Sequence, residues 1–353
     1  MTDTKSFVDD TWDAFSWRMM SNYVSPWEHA RLRERIKDWS QWCATWSAAA
    51  AAHVARGDEA AASGHDATAG DAYVRAALFY HWASFLFTHD LNQFRSALEA
   101  GEAALAKAAP LVEHPMEIIR VPFEGTELPG YFRYPKEASG RVPLVVLIPG
   151  ADSNKEELYD LGSHMLRRGV AVHCFDGPGH GLVSFHLKLR AEYEGPIAAV
   201  LDRLLERDDV DPGRVALGGI SYGGQFAIRG GVFDARVKAV LSISSWYSAA
   251  GRYPSQREVS KAALKQYMGP DPEALQRTMT LEGVAERLTV PLLQVYGGKD
   301  PASPREQAER IAREVKGPNS LKLYEDGVHV CNNIWYEARP YAADWVAGTL
   351  ASL

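Results

Sequence analysis

The stretch VALGGISYGGQFA (residues 215–227) decides the fold of this chain. It begins as a short apolar strand, passes through Gly219-Ile220-Ser221-Tyr222-Gly223, and continues as a predicted helix. A Gly-x-Ser-x-Gly motif between a strand and a helix predicts a sharp, strained turn that lifts the serine hydroxyl above a sheet. The glycines leave room for neighbouring backbone to pack against that turn. Ser221 is therefore the candidate nucleophile.

A serine hydroxyl needs a base to activate it, and the base needs a carboxylate to orient it. His329 is the only histidine after Ser221, and in this kind of site the chain order is serine, acid, histidine. Asp300, in the loop Tyr-Gly-Gly-Lys-Asp after the penultimate predicted strand, is the expected acid. Asp326 is the alternative, but it stands too close to His329 in sequence to reach the far ring nitrogen easily.

An oxyanion hole needs two backbone N–H groups aimed at the developing charge. The residue after the nucleophile, Tyr222, is predicted to supply one. Ala151 is predicted to supply the other, because it lies in the Pro-Gly-Ala loop after the apolar run 143–148. An ordinary strand-to-helix turn is the alternative interpretation of that loop.

Strands and helices alternate on both sides of the motif. Residues 117–122 and 127–134 read as a strand pair around a Glu-Gly-Thr turn, and 143–148 (PLVVLI) reads as a strand buried on both faces. Strand and helix patterns then follow one another until a last helix over 335–350. The fold class is therefore α/β, with a mostly parallel sheet and helices on both faces. Ligands of such sheets bind at the carboxyl ends of the strands.

Residues 1–112 read as an all-helical region, which gives a predicted division into a helical domain (1–112) and a catalytic domain (113–353). Apolar side chains recur at helical spacing, as in the stripe from Val74 to Leu86. The alanine-rich segment 48–69 is expected to be an exposed helix with a turn at Gly57 or Gly64. Seven of the ten tryptophans lie in this third of the chain. Most are expected to pack between helices, and a minority to line a pocket or a subunit interface.

Composition narrows the possible partners of the 353-residue chain. The net charge of -7 argues against nucleic acid or an anionic membrane as a partner. The first residues show no signal peptide, and three dispersed cysteines fit a reducing, cytoplasmic compartment. No metal or cofactor is implied, since zinc spacings are absent and the Asp176–Gly181 turn lacks the features of a phosphate cradle.

The serine motif, the Asp300 loop and the His329 loop together resemble the α/β-hydrolase superfamily. A closer likeness is to hydrolases with an N-terminal helical lid domain, such as 2,6-dihydroxypseudooxynicotine hydrolases and fermentation-respiration switch protein-like hydrolases. Residues 149–157, the Asp176–Gly181 turn and residues 329–333 carry this likeness. The resemblance implies hydrolysis of a carbon–carbon bond next to a ketone in an aromatic or polyketide-like small molecule, without a cofactor. It also implies a homodimer.

Two other functions stay open. A carboxylesterase or thioesterase would use the same triad, and a partner-binding homologue without activity is the third possibility. Residues 244–252, expected near the pocket, contain no carboxylate to protonate a carbon leaving group, which favours the ester alternative. Trp246 and Tyr247 in that segment are predicted to contact an aromatic substrate, with a role in the core as the alternative. The helical region is expected to close over the carboxyl edge of the sheet.

Overall fold

The computed structural model describes residues 4–353 of the chain. Its N-terminal region consists of five helices, and two of them begin at clear capping residues. Ser25 caps the second helix in a capping box with Glu28, and Asp90 caps the fifth. The helices are α1 (Thr4–Met20), α2 (Pro26–Arg35), α3 (Trp42–Ala62), α4 (Asp66–Ser84) and α5 (Leu91–Ala108).

Tryptophans fill the interior of this helical region. Trp12 and Trp46 stack with ring centroids 5.7 Å apart, as the packing role predicted for most of them requires. Two tryptophans instead lie at the surface: Trp17 is 51% exposed and Trp27 62% exposed. The buried members of the set are Trp12, Trp39, Trp42, Trp46 and Trp82.

The alanine-rich helix differs from the expectation of an exposed element. Helix α3 runs unbroken through Gly57, and the turn comes at Gly64, whose φ is +72°. One side of α3 is buried, and Gly57 sits so close to the Tyr73 ring of α4 that a Cβ there would collide with it. Small side chains bury little surface, but they allow two helices to approach closely. The prediction of an exposed helix was therefore wrong for that side.

An eight-stranded sheet lies at the centre of the rest of the molecule. Its strand order is β1-β2-β4-β3-β5-β6-β7-β8; β2 runs antiparallel to its neighbours β1 and β4, and the remaining pairs are parallel. This confirms the predicted α/β class with a mostly parallel sheet. The strands are β1 (Met116–Phe123), β2 (Thr126–Arg133), β3 (Val142–Ile148), β4 (Ala171–Phe175), β5 (Val210–Ile220), β6 (Val237–Ile243), β7 (Leu292–Gly297) and β8 (Asn319–Tyr324).

Seven further helices connect and cover the strands. The segment between β6 and β7 is the longest of these connections and carries two helices, α9 and α10, that the sequence did not predict. Among the described residues, no helix combines the length and apolarity needed to cross a membrane. The helices are α6 (Tyr159–Leu166), α7 (Glu194–Leu204), α8 (Tyr222–Phe233), α9 (Glu258–Met268), α10 (Pro272–Thr278), α11 (Arg305–Glu314) and α12 (Trp335–Ala351).

Buried ion pairs join the helical region to the loop that follows β3. Arg18 of α1 donates to both carboxylate oxygens of Glu157, at 2.5 and 2.6 Å, and to Asp152 at 3.0 Å. Asn22 adds a bond of 3.1 Å to Glu157. Burial alone would raise the pKa of Glu157, but the Arg18 guanidinium holds that pKa well below its ordinary value. Helix α1 is therefore held against the carboxyl edge of the sheet.

Removing one partner of this buried pair should be costly. We expect Arg18→Met to lower the free energy of unfolding by about 3–5 kcal/mol, because the Glu157 carboxylate would stay buried without its partner. Urea denaturation followed by circular dichroism measures the change. Arg33→Met is the matched control, since Arg33 pairs with Asp13 at the surface and its loss should change stability little. Equal, small effects of both substitutions would contradict the structural role given to Arg18.

Candidate active site

Ser221 occupies the sharp turn between β5 and α8. Its backbone has φ 58° and ψ −123°, a left-handed conformation that non-glycine residues rarely adopt. A Cβ on Gly219 would collide with the carbonyl of Gly223, and a Cβ on Gly223 would collide with the carbonyl of Ile148. Only glycines at these two positions let the strands and the helix close around the turn. The local sequence thus fixes where the serine hydroxyl projects.

The structure brings Ser221, His329 and Asp300 into one chain of hydrogen bonds. His329 Nε2 lies 3.1 Å from Ser221 Oγ, and His329 Nδ1 lies 2.7 Å from Asp300 Oδ2. The other carboxylate oxygen of Asp300 accepts bonds from the backbone N–H groups of Ala302 and Ser303 at 2.8 and 2.9 Å. Such distances allow a proton to move from the serine to the ring. The catalytic roles of the three residues remain predictions.

The electrostatics of Asp300 suit an orienting carboxylate. Its side chain is fully buried, and burial alone would raise its pKa. The contact with His329 and the two backbone donors outweigh burial and lower the pKa of Asp300 below its ordinary value. Asp326, the alternative acid, is 80% exposed at its side chain and pairs with Lys299 at 2.5 Å. The geometry therefore favours Asp300 over Asp326.

The loop that carries His329 is held from two sides. Ser244, after β6, accepts a bond from the Val330 N–H at 3.0 Å. Asn332 donates to the His329 carbonyl at 3.1 Å and accepts a bond of the same length from Ser21, at the end of α1. The helical region thus reaches the loop that carries the predicted base, through a Ser21–Asn332 contact that no sequence pattern indicated.

The two predicted oxyanion donors flank the serine. A Cβ on Gly150 would lie 3.1 Å from Ser221 Cβ and 3.5 Å from its Oγ, so the loop after β3 passes directly beside Ser221. Among residues 4–353, neither the Ala151 N–H nor the Tyr222 N–H donates a hydrogen bond to another protein group. Both donors are therefore available to a ligand. Their role as an oxyanion hole stays a prediction.

The two predicted substrate contacts are placed differently. The Trp246 ring lies 5.7 Å from the His329 ring and 4.6 Å from the Tyr222 ring, and its indole N–H donates to the Ala302 carbonyl at 2.6 Å. Tyr247 lies under the Arg310 guanidinium of α11, 3.7 Å away. Trp246 thus adjoins the triad, whereas the ring contact of Tyr247 is with α11, so the structure adds nothing to its predicted substrate role.

Sequence analysis gave no role to Arg252 or to Gln276 of α10. The Arg252 guanidinium stacks over the Trp246 ring, 3.8 Å from its centroid. The Tyr222 hydroxyl lies within hydrogen-bonding reach of both Arg252 and Gln276. Arg252 lies six residues after Trp246, in the segment expected near the pocket, so its place in the sequence could have indicated a role in the site. Helix α10 carries no motif that could have indicated a role for Gln276.

Two further features of the molecule concern possible metal ligands and the thiol nearest to the predicted base. In the part of the chain that the structure describes, no cluster of three histidine, cysteine, aspartate or glutamate side chains is arranged to hold a metal ion. Cys331, two residues from His329, is fully buried, and burial raises the pKa of its thiol to about 12. The thiol therefore stays protonated at neutral pH, as a structural cysteine does.

Comparisons with known proteins give a consistent picture. The model of a family described as "Esterase FrsA-like" matches residues 37–269, more than half of the chain. The chain is 27% identical over 341 residues to 2,6-dihydropseudooxynicotine hydrolase of Paenarthrobacter nicotinovorans, covering 95% of this chain and 91% of that protein. A crystal structure of 2,6-dihydroxy-pseudo-oxynicotine hydrolase superposes with a TM-score of 0.87 at 26% identity, covering 96% of both chains.

Fungal relatives match over a shorter range. The chain is 35% identical over 224 residues to the α/β hydrolase pydG of an Acremonium species, covering 60% of this chain. The match covers 52% of that protein, so it spans about half of the relative's length. Together, these comparisons support the resemblance inferred from the sequence, and the similarity to the pseudooxynicotine hydrolase includes the helical region.

Proposed function

The chain belongs to the FrsA-like esterase family of α/β-hydrolases, and from this premise we propose that it is a serine hydrolase that cleaves a carbon–carbon bond next to a ketone. Ser221 is the proposed nucleophile, His329 the base and Asp300 its orienting acid. The observation that carries the proposal is the continuous hydrogen-bond chain from Ser221 Oγ through the His329 ring to a buried Asp300.

The proposed reaction begins with attack of Ser221 Oγ on the substrate carbonyl carbon. His329 Nε2 takes the serine proton, and Asp300 stabilises the imidazolium that forms. The Ala151 and Tyr222 N–H groups, which donate to no other group in the part of the chain that the structure describes, would hold the oxyanion. The carbon–carbon bond then breaks, its electron pair leaves with the carbon fragment, and the imidazolium proton returns to that fragment. Water hydrolyses the acyl-serine and releases a carboxylic acid.

The leaving group decides whether this chemistry works on carbon. An alkoxide leaves easily, whereas a carbon fragment leaves only if its negative charge is delocalised, as in an enolate or an electron-rich ring. We therefore propose a 1,3-diketone or an acyl-aromatic compound as the substrate class. Similarity along nearly the whole chain to a pseudooxynicotine hydrolase supports this choice. The aromatic face of Trp246 beside His329 supports an aromatic substrate.

Ester hydrolysis is the second candidate function. It is favoured by the family description, which is that of an esterase, and by the absence of a carboxylate from residues 244–252. An ester needs no group to protonate a carbon leaving group, and the triad would otherwise act in the same way.

A steady-state comparison separates the two candidates. The purified chain is assayed with a series of aryl 1,3-diketones, by loss of diketone absorbance, and with p-nitrophenyl esters of matched acyl length. We expect diketone cleavage to give one carboxylic acid and one methyl ketone per turnover, with kcat/KM above that of the esters. The Ser221→Ala variant serves as the background control. Rapid ester turnover without any diketone cleavage would overturn the carbon–carbon proposal and leave the esterase.

A further inference from the structure

Three buried polar atoms close to Ser221 make no well-aligned hydrogen bond with any group among the described residues, although they lie near one another. They are Tyr222 Oη, Arg252 Nε and Gln276 Oε1. The Tyr222 and Gln276 side chains belong to residues that are only 3% and 1% exposed. A buried polar group left without a partner is unfavourable, so folded proteins rarely keep several together. Such a cluster suits a ligand that supplies the missing partners.

The three groups form one cluster at the edge of the site. The Tyr222 hydroxyl lies within hydrogen-bonding reach of both the Arg252 guanidinium and the Gln276 amide. The Tyr222 ring and the Arg252 guanidinium both pack on the Trp246 indole, which also lies beside the His329 ring. Tyr222 directly follows Ser221 in the chain. Burial raises the pKa of Tyr222 to about 12, so the phenol stays protonated and remains a donor.

Among residues 4–353, the guanidinium of Arg252 forms no ion pair with a carboxylate, and its Nη1 donates to the Ala302 carbonyl. Asp300 and Asp152 act on it from a distance, but they are already paired with His329 and Arg18. Burial also lowers the pKa of Arg252 below its ordinary value. A largely buried cation without a partner is unfavourable, and an anionic ligand would remove the penalty.

We propose that Tyr222, Arg252 and Gln276 form a subsite that binds an anionic oxygen of the substrate, either a carboxylate or the enolate of a 1,3-dicarbonyl group. Arg252 supplies the charge and a charge-assisted hydrogen bond, and the Tyr222 hydroxyl supplies a second donor. The Gln276 amide oxygen, close to the Tyr222 hydroxyl, is an acceptor that fits a hydroxyl beside the anion. This inference rests on the proposed function in one respect only, namely that the substrate occupies the space beside Ser221.

The subsite also bears on carbon–carbon cleavage. The carbon fragment must leave as an enolate, and its negative charge develops on oxygen as the bond breaks. A fixed cation and a phenol at that position stabilise the departing fragment without a carboxylate in residues 244–252. The absence of an acid from this segment then no longer argues against a carbon leaving group.

Binding to the Ser221→Ala variant tests the subsite without requiring turnover. Isothermal titration calorimetry is performed with two ligand pairs: 4-oxo-4-phenylbutanoate against its methyl ester, and 1-phenylbutane-1,3-dione against its 2,2-dimethyl derivative, which cannot form an enolate. In the Ser221→Ala background, we expect Arg252→Gln to weaken binding of the carboxylate or of the enolisable diketone by about tenfold or more. Binding of the methyl ester or of the dimethyl derivative should weaken less than twofold. Arg252→Lys, which keeps the charge, should recover most of the loss. The pair that responds identifies carboxylate or enolate as the anion.

Control variants separate recognition from structural support. Arg310 also lies over an aromatic ring, that of Tyr247, and Arg310→Gln should affect neither ligand pair. Tyr222→Phe keeps the ring and the backbone N–H, and it replaces Arg252→Gln as the test if the latter does not fold. Equal weakening of charged and neutral ligands, or no weakening, would overturn the subsite. Because these measurements need no bond cleavage, they fail independently of the proposed reaction.

Discussion

Replacement of Ser221 by alanine is expected to lower kcat by about 10⁴- to 10⁶-fold toward the natural class of substrate, because no other group can form the acyl intermediate. The substitution removes one oxygen atom from the turn after β5, and alanine keeps the Cβ that fits there. We therefore expect the thermal unfolding midpoint to change little. Initial rates measured beside calorimetric unfolding establish both results.

A covalent probe gives the same test a second readout. An alkyl fluorophosphonate should add one phosphonyl group to the wild-type chain, seen by intact mass, and none to Ser221→Ala. Cys331→Ala is the matched control, since this buried thiol lies near the base without contacting the serine in the proposed reaction. It should retain kcat within a few-fold. Labelling of the Ser221→Ala variant, or unchanged turnover, would refute the nucleophile assignment.

Asp300→Asn is expected to lower kcat by about 10⁴-fold. The backbone N–H groups of Ala302 and Ser303 would hold the amide oxygen, so the amide NH2 group would face His329 Nδ1. The ring would then carry its proton on Nε2 and lose its basic nitrogen toward Ser221. Turnover with saturating substrate measures the loss. Asp326→Asn is the control, because the Asp326 side chain is exposed and pairs with Lys299. If Asp326→Asn is the more damaging change, the acid has been misassigned.

The lowered pKa of Asp300 also has a consequence for stability. A carboxyl group whose pKa is depressed by folding stabilises the native state above its unfolded pKa, and this contribution is lost as pH falls through the folded pKa. The Asp300→Asn chain cannot titrate at this position. Its stability should therefore fall less steeply with acidification than that of the wild type.

Sequence predicted the parts of this molecule whose signals are local. The Gly-x-Ser-x-Gly turn, the unique downstream histidine and the loop before Asp300 could each be recognised from a few neighbouring residues. The strands were recognised from apolar runs, although β5 begins five residues earlier than its apolar core suggested, at Val210. Local patterns therefore sufficed for the sheet and for the predicted triad.

What sequence could not predict depends on contacts between distant segments. The polarity around Arg252 follows from the placement of α10, which carries no recognisable motif, against the start of α8. In the alanine-rich part of α3, the burial of Gly57 follows from close packing on Tyr73 rather than from hydrophobicity. Ser21 meets Asn332 across 311 positions of sequence. Such pairings are set by tertiary packing, and no short pattern specifies them.

Helix α1 contacts both halves of the catalytic apparatus. Through Arg18 it holds Asp152, beside the predicted oxyanion donor Ala151, and through Ser21 and Asn332 it holds the carbonyl of His329. The loop of the predicted oxyanion donor Ala151 and the loop of the predicted base His329 are thereby held in position by the same helix. We expect the proposed reaction to stop in a molecule whose helix α1 is displaced, even where the sheet and the serine turn stay in place. The proposed activity would therefore depend on the docking of α1 against two loops that lie 134 and 311 positions away in the sequence.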